Sequence, residues 1–149
     1  MSAMTIWTIG HSDRSKDALS ALLQEYEIDR VVDVRSSPWS RRHPWHGRSE
    51  MESALREISI SYSWLGAGLG GLRQGDDLAH QKSESYREAI EQVLAAMEHE
   101  RVAILCAERE PWGCHRRHIA DDLVRRGISV LHIITPGQVA AHQNLLDLG

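Results

Sequence analysis

The chain has 149 residues, 42% of them hydrophobic and 26% charged, which suits one globular domain and excludes global disorder or a collagen-like repeat. Its formal charge of −4 at pH 7 excludes a polycation built to coat nucleic acid. Phe is absent, while there are five Trp and nine His, side chains better suited to lining a site than to filling a core.

Thr5 to Ile9 reads as a first strand that stops at Gly10. From Lys16 to Tyr26, Leu19, Leu22, Leu23 and Tyr26 recur at helical spacing, with Ser15 placed to cap. Arg30 to Val34 is a second strand, apolar enough to be buried on both faces. A basic, Trp-containing loop follows from Ser36 to Arg48, and Ser49 opens a short helix through Glu57. Ile58 to Tyr62 alternates as a third strand, and Gly66 to Lys82 is a glycine-rich loop. Ser83 caps a long helix to about Glu98, and Val102 to Cys106 is the most apolar strand. A helix starting at Gly113 or Cys114 runs to Arg126, Gly127 ends it, and Ile128 to Ile134 is a fifth strand. Pro136 and Gly137 lead into an expected final helix carrying Val139, Leu145 and Leu146.

Strands separated by helices imply crossovers between parallel strands. The expected fold is therefore α/β: a single-domain, Rossmann-like three-layer sandwich over residues 1–149, with a mostly parallel five-stranded sheet and helices on both faces. Two cysteines cannot build a disulfide framework, and the short, uncharged stretch from Met1 to Met4 is not a secretory signal. No apolar run approaches the roughly 20 residues of a membrane span. A cytoplasmic protein with reduced thiols and no membrane partner is expected.

Ligands of such sheets bind beyond the carboxyl ends of the strands. The reactive residue types collect there: His11 and Ser12, then Asp33 and Arg35 with Ser40 and Arg41, then Tyr62 and the glycine-rich loop, then Cys106 to Arg117. The other edge receives ordinary helix ends such as Glu27 to Asp29 and Glu98 to Glu100.

Cys114 and His115 fall at an expected helix start, where unpaired N–H groups favour a thiolate or an anion, and Arg116 and Arg117 add charge. Cys114 reads either as a nucleophile or metal ligand, or as a small buried residue at a turn. His115 is an acid, base or phosphate ligand, or else a surface residue. Glu108 is a general base, or a structural partner of Arg116 or Arg35. Asp33 and Arg35, two apart on one face of a strand, either orient a ligand or form an ion pair that orders the following loop. Ser12 either helps form a hydrogen-bonding turn near a ligand or contributes to capping the first helix.

Arg41, Arg42, His43, His46 and Arg48 between or beside Trp39 and Trp45 suit a phosphate with a stacked base, and equally a solvated loop. The glycines match neither a P-loop nor a dinucleotide fingerprint; Leu69-Gly70-Gly71 suits a close backbone approach or a lid. A Cys-x5-Arg anion loop from Cys114 would place Arg where Ala120 stands. Cys106 and Cys114, eight apart, lack the spacing of a structural zinc site, so a metal would need His11, His43 or His115 as well.

Thr8-Ile9-Gly10-His11-Ser12, Val32-Asp33-Val34-Arg35 with Pro38 and Ser40-Arg41, Leu69-Gly70-Gly71, Cys106-Ala107-Glu108 and Cys114-His115-Arg116-Arg117 occur in this order. Together they resemble the family catalogued as domain of unknown function 488, from about Thr5 to Ile133. The chain departs from it in carrying Ala18 and Trp45 where the family often has Phe, which bears on the shape of a pocket. The resemblance supports a site and assigns no reaction.

The reading that results is an enzyme for a small anionic substrate, a nucleotide or nucleic-acid component. Cys114, His115, His11, Glu108 and Asp33 are the catalytic candidates. Arg35, Ser12, Ser40, Arg41, Tyr62, Gly70, Gly71 and Arg116 are the substrate-binding candidates. The alternatives are a non-catalytic module for a phosphorylated ligand or nucleic acid, and a Cys/His metalloprotein. Cofactor and oligomeric state are left unassigned.

Overall fold

Alternate strand residues face opposite sides of the sheet and sort the interior into two apolar layers. A computed structural model describes residues 4–39, 42–70, 84–108 and 116–142. The strands are β1 (Thr5–Gly10), β2 (Arg30–Asp33), β3 (Ser61–Trp64), β4 (Val102–Cys106), β5 (Ser129–Thr135) and β6 (Gln138–Ala141). The helices are α1 (Lys16–Glu25), α2 (Arg48–Glu57), α3 (Gly66–Leu69), α4 (Glu84–Met97) and α5 (Arg116–Arg125), with a 3₁₀ turn at Pro44–His46. Ile6, Val32, Val102, Ile104 and Val130 pack with Ile90 and Val93 of α4 and with Ile119 and Leu123 of α5. Their alternates Trp7, Ile9, Val31, Ala103 and Leu105 pack with Leu19 and Leu23 of α1 and with Met51 and Leu55 of α2. Helices thus cover both faces, as the buried strands require.

The sheet order is β3-β2-β4-β1-β5-β6. The first five strands run parallel, so their carboxyl ends share one edge. The chain leaves β1 for one half of the sheet and β4 for the other, which makes the neighbouring ends of β1 and β4 the switch point. Backbone bonds extend this pairing beyond the strands: His11 N–H donates to Cys106 O at 2.9 Å and Ser12 N–H to Ala107 O at 2.8 Å.

Several element boundaries differ from expectation, each for a local reason. The sheet has six strands, because Gly137 adopts φ +73° and turns the chain into β6, antiparallel to β5. Val139 therefore lies in a strand and not in a helix; Leu145 and Leu146 lie outside the described residues. The third strand starts at Ser61 because Ile58 caps α2 and Ser59 adopts φ +63°. Gly66 to Leu69, expected as loop, is one helical turn. Ser15 does cap α1, accepting from Ala18 N–H at 3.1 Å. Ser83 and the start of the helix expected from Gly113 or Cys114 lie outside the described residues. Among the described residues no helix is long and apolar enough to cross a membrane.

Candidate functional site

The residue after each strand end is positioned by the ladder beneath it, and at β2 this produces a buried ion pair. Asp33 is fully buried and Arg35 nearly so. Asp33 Oδ1 accepts from Arg35 N–H at 3.0 Å and from Nε at 2.9 Å, while Oδ2 accepts from Nη2 at 2.7 Å. Tyr62 on β3 donates its hydroxyl to the same Oδ2. Burial, and then the Asp33 charge, push the Tyr62 phenol well above its ordinary value, so it remains a donor. Burial works against the Arg35 charge, but hydrogen bonds and charge from Asp33 outweigh it and raise the guanidinium.

This pair is held in place from behind. Trp64 Nε1 donates to Arg35 O at 2.8 Å, and Arg48 lies 4.7 Å from the centroid of the Trp64 ring. A Cβ on Gly66 would sit 2.0 Å from Arg35 O. A Cβ on Gly70 would sit 2.1 Å from Ser36 Oγ and 2.4 Å from Gly66 O. Both glycines are therefore needed for α3 to press against the loop after β2.

Beyond β1 the ring of His11 packs against that of His46, centroids 4.1 Å apart and planes tilted by 39°, and Trp45 meets His46 edge-on at 3.7 Å. His11 Nδ1 donates to Ser12 O at 2.9 Å and His46 Nε2 to Arg14 O at 2.9 Å. Because a carbonyl only accepts, these bonds fix the tautomers and leave His11 Nε2 and His46 Nδ1 as acceptors in the neutral rings. Burial above all pulls His11 down to about 4; the His46 and Arg35 charges act in the same direction. Burial likewise lowers His46, with His43 and Arg35 adding to it. Arg14 braces the turn, donating from Nε to Gly10 O at 3.1 Å and from Nη2 to Ile134 O. Ser12 sits in that turn at φ +48°, a conformation rare for a residue with a Cβ, and its hydroxyl lies 3.4 Å from Asp13 Oδ1.

The edge thus brings together four of the expected residues, Asp33, Arg35, Tyr62 and His11, with Ser12 beside them. Two buried side-chain atoms of this group have no hydrogen-bond partner among the described residues: Arg35 Nη1, a donor, and His46 Nδ1, an acceptor. Gly70 acts through close approach to Ser36. Glu108 is exposed, and its carbonyl oxygen lies 3.5 Å from Cys106 Sγ. Arg116 is fully buried on α5, which packs on the other face of the sheet from α1 and α2. Cys114, His115, Ser40, Arg41 and Gly71 lie outside the described residues.

His46 and Arg14 belong to this group, although Arg14 is not expected there from sequence and His46 is only one of several loop residues suited to a phosphate. Arg14 follows Gly10 by four residues in a turn, and His46 sits in a loop where any of several basic residues could have turned inward. No local pattern separates them from their neighbours. Among the described residues, no group of three or more His, Cys, Asp and Glu side chains is arranged to share a metal ion.

A family model described as domain of unknown function DUF488 matches residues 14–123. No curated protein and no solved structure matches the chain.

Proposed function

The chain belongs to the DUF488 family, whose model takes in Asp33, Arg35 and Tyr62, and we propose that this cluster binds the anionic group of a nucleotide or nucleic-acid component. The observation that carries the reading is Arg35 Nη1, a buried N–H of a charged group without a partner among the described residues. Leaving such a donor unmet costs on the order of 1–3 kcal/mol, so a ligand oxygen is its natural complement. Asp33 and Tyr62 hold the guanidinium in one orientation before any ligand arrives, which lowers the ordering cost of binding. Arg42 and Arg48, both exposed, raise the local positive charge that the net charge conceals. Trp39 is 61% exposed on the same loop and suits stacking with a base.

In the catalytic form of this reading Cys114 is the nucleophile, His115 or His11 the acid or base, and Asp33 or Glu108 the orienter, with Ser12, Ser40, Arg41, Gly70, Gly71 and Arg116 as further substrate-binding candidates. The non-catalytic alternative is favoured by the setting of His11: packed against His46 and lowered to about 4 by burial, its ring is a hydrogen-bond acceptor more than a proton shuttle at neutral pH.

Titration calorimetry with inorganic phosphate and with nucleoside monophosphates tests the site. Binding of both is expected, weakened at least tenfold by R35K. Absence of binding to the folded protein would overturn the proposal. Iodoacetamide labelling located by mass spectrometry separates enzyme from module. A Cys114 thiol that titrates well below about 8.5 supports the nucleophile, and an ordinary titration leaves the binding module.

A further inference from the structure

A second buried polar chain crosses the opposite side of the sheet. Thr8 Oγ1 on β1 lies 2.5 Å from His132 Nδ1 on β5. His132 Nε2 lies 2.9 Å from His142 Nδ1, just past β6, and His142 Nε2 lies 2.6 Å from Asp121 Oδ1 on α5. The His132 and His142 side chains are buried, Thr8 is 1% exposed, and only Asp121, at 22% side-chain exposure, reaches toward water.

The donor and acceptor inventory gives this chain a direction. A carboxylate only accepts, so His142 Nε2 carries a proton and, in the neutral ring, Nδ1 accepts. His132 must then donate from Nε2, which leaves its Nδ1 to accept from the Thr8 hydroxyl. The reverse direction would need a doubly protonated His142, donating from Nδ1 to His132 and from Nε2 to Asp121, and so one proton more than the neutral chain. His132 is neutral in either direction, because burial first, then Arg116 and His142, pull that ring down to about 3.

We propose that Asp121 is a positioning residue acting over three hydrogen bonds: by accepting from His142 it sets the tautomers of His142 and His132, and through them the direction of the Thr8 hydroxyl. With its proton committed to His132, the Thr8 oxygen keeps its lone pairs as an acceptor inside the sheet, two residues before the end of β1 and level with Ile104 of β4. A carboxylate open to water on α5 thereby controls polarity inside the sheet. This arrangement is independent of the Arg35 cluster and holds whether or not that cluster binds an anion.

Nitrogen-15 spectra of the imidazoles in the intact protein test it. Wild type should show His132 and His142 each as a single neutral tautomer with the proton on Nε2. In D121A the His132 nitrogen signals should shift toward tautomer-averaged values, although His132 does not bond to residue 121. D121E, which keeps a carboxylate, should restore the single-tautomer pattern. A doubly protonated His142 in the wild type, a proton on His132 Nδ1, or His132 signals identical in wild type and D121A would each overturn the proposal. Circular dichroism melting of both variants separates a tautomer change from unfolding, and if D121A does not fold, the wild-type tautomers alone decide.

Discussion

Arg35 turns back on the residue two positions before it and closes Nε and Nη2 on the carboxylate of Asp33, at 2.9 and 2.7 Å, with both residues withdrawn from water. Two charges can be buried this way because each covers much of the other's hydrogen-bonding capacity, and Tyr62 supplies a further donor. Removing one partner leaves the other charge enclosed. D33N is expected to cost about 3–5 kcal/mol, and Y62F about 1 kcal/mol because Oδ2 keeps Arg35. Urea unfolding measures both. Equal costs would show that the ion pair is not what stabilises this edge.

The histidines make stability depend on pH with a definite sign. His11 is lowered from 6.5 to about 4 and His132 to about 3, so between these values and 6.5 the unfolded chain binds more protons than the folded one. Their contribution is fully present above pH 6.5 and is lost as pH falls below it. Each ring adds a slope of at most about 1.4 kcal/mol per pH unit. Urea midpoints at pH 8, 6.5 and 5 should therefore be level over the upper interval and fall over the lower. H11Q should flatten the fall; an unchanged slope in that variant would show that His11 is protonated without penalty.

The two glycines of α3 should resist substitution. G66A drives a methyl into the Arg35 carbonyl, and G70A drives one into Ser36 and the Gly66 carbonyl. Each is expected to cost about 1–3 kcal/mol as overpacking. At Gly137, by contrast, φ is +73° and nothing lies within 4 Å of an added Cβ, so G137A should cost only the roughly 1 kcal/mol of a left-handed alanine. Thermal melts of the three variants compare clash with backbone strain directly.

Trp39 gives a prediction that separates base from phosphate. Stacking contributes about 1–3 kcal/mol per base, so W39A should weaken nucleoside monophosphate binding roughly tenfold. Inorganic phosphate, which has no base, should bind equally well to W39A and wild type. Equal losses for both ligands would place Trp39 in the fold of the loop and not at a stacking surface.

Much of this architecture was legible in local pattern. Ser15 precedes an amphipathic run and does cap it, and the alternation of strands and helices implies parallel pairing and hence a reactive edge. Asp33 and Arg35 could be put on one side of a strand from their spacing alone, and whether they face a ligand or each other needed the structure. The β6 hairpin was hidden because four short residues after Pro136-Gly137 carry too little alternation to oppose a helical reading.

What the sequence determined by itself is set by near neighbours: backbone preference, side-chain periodicity, and the residues that follow each strand. Only the tertiary structure decided which distant side chains meet. His11 meets His46, and Thr8, His132, His142 and Asp121 join across strands and helix, through contacts that sheet order and register create. The physical reason is range: a hydrogen bond acts over about 3 Å of space, and separation along the chain says nothing about it until the sheet is assembled.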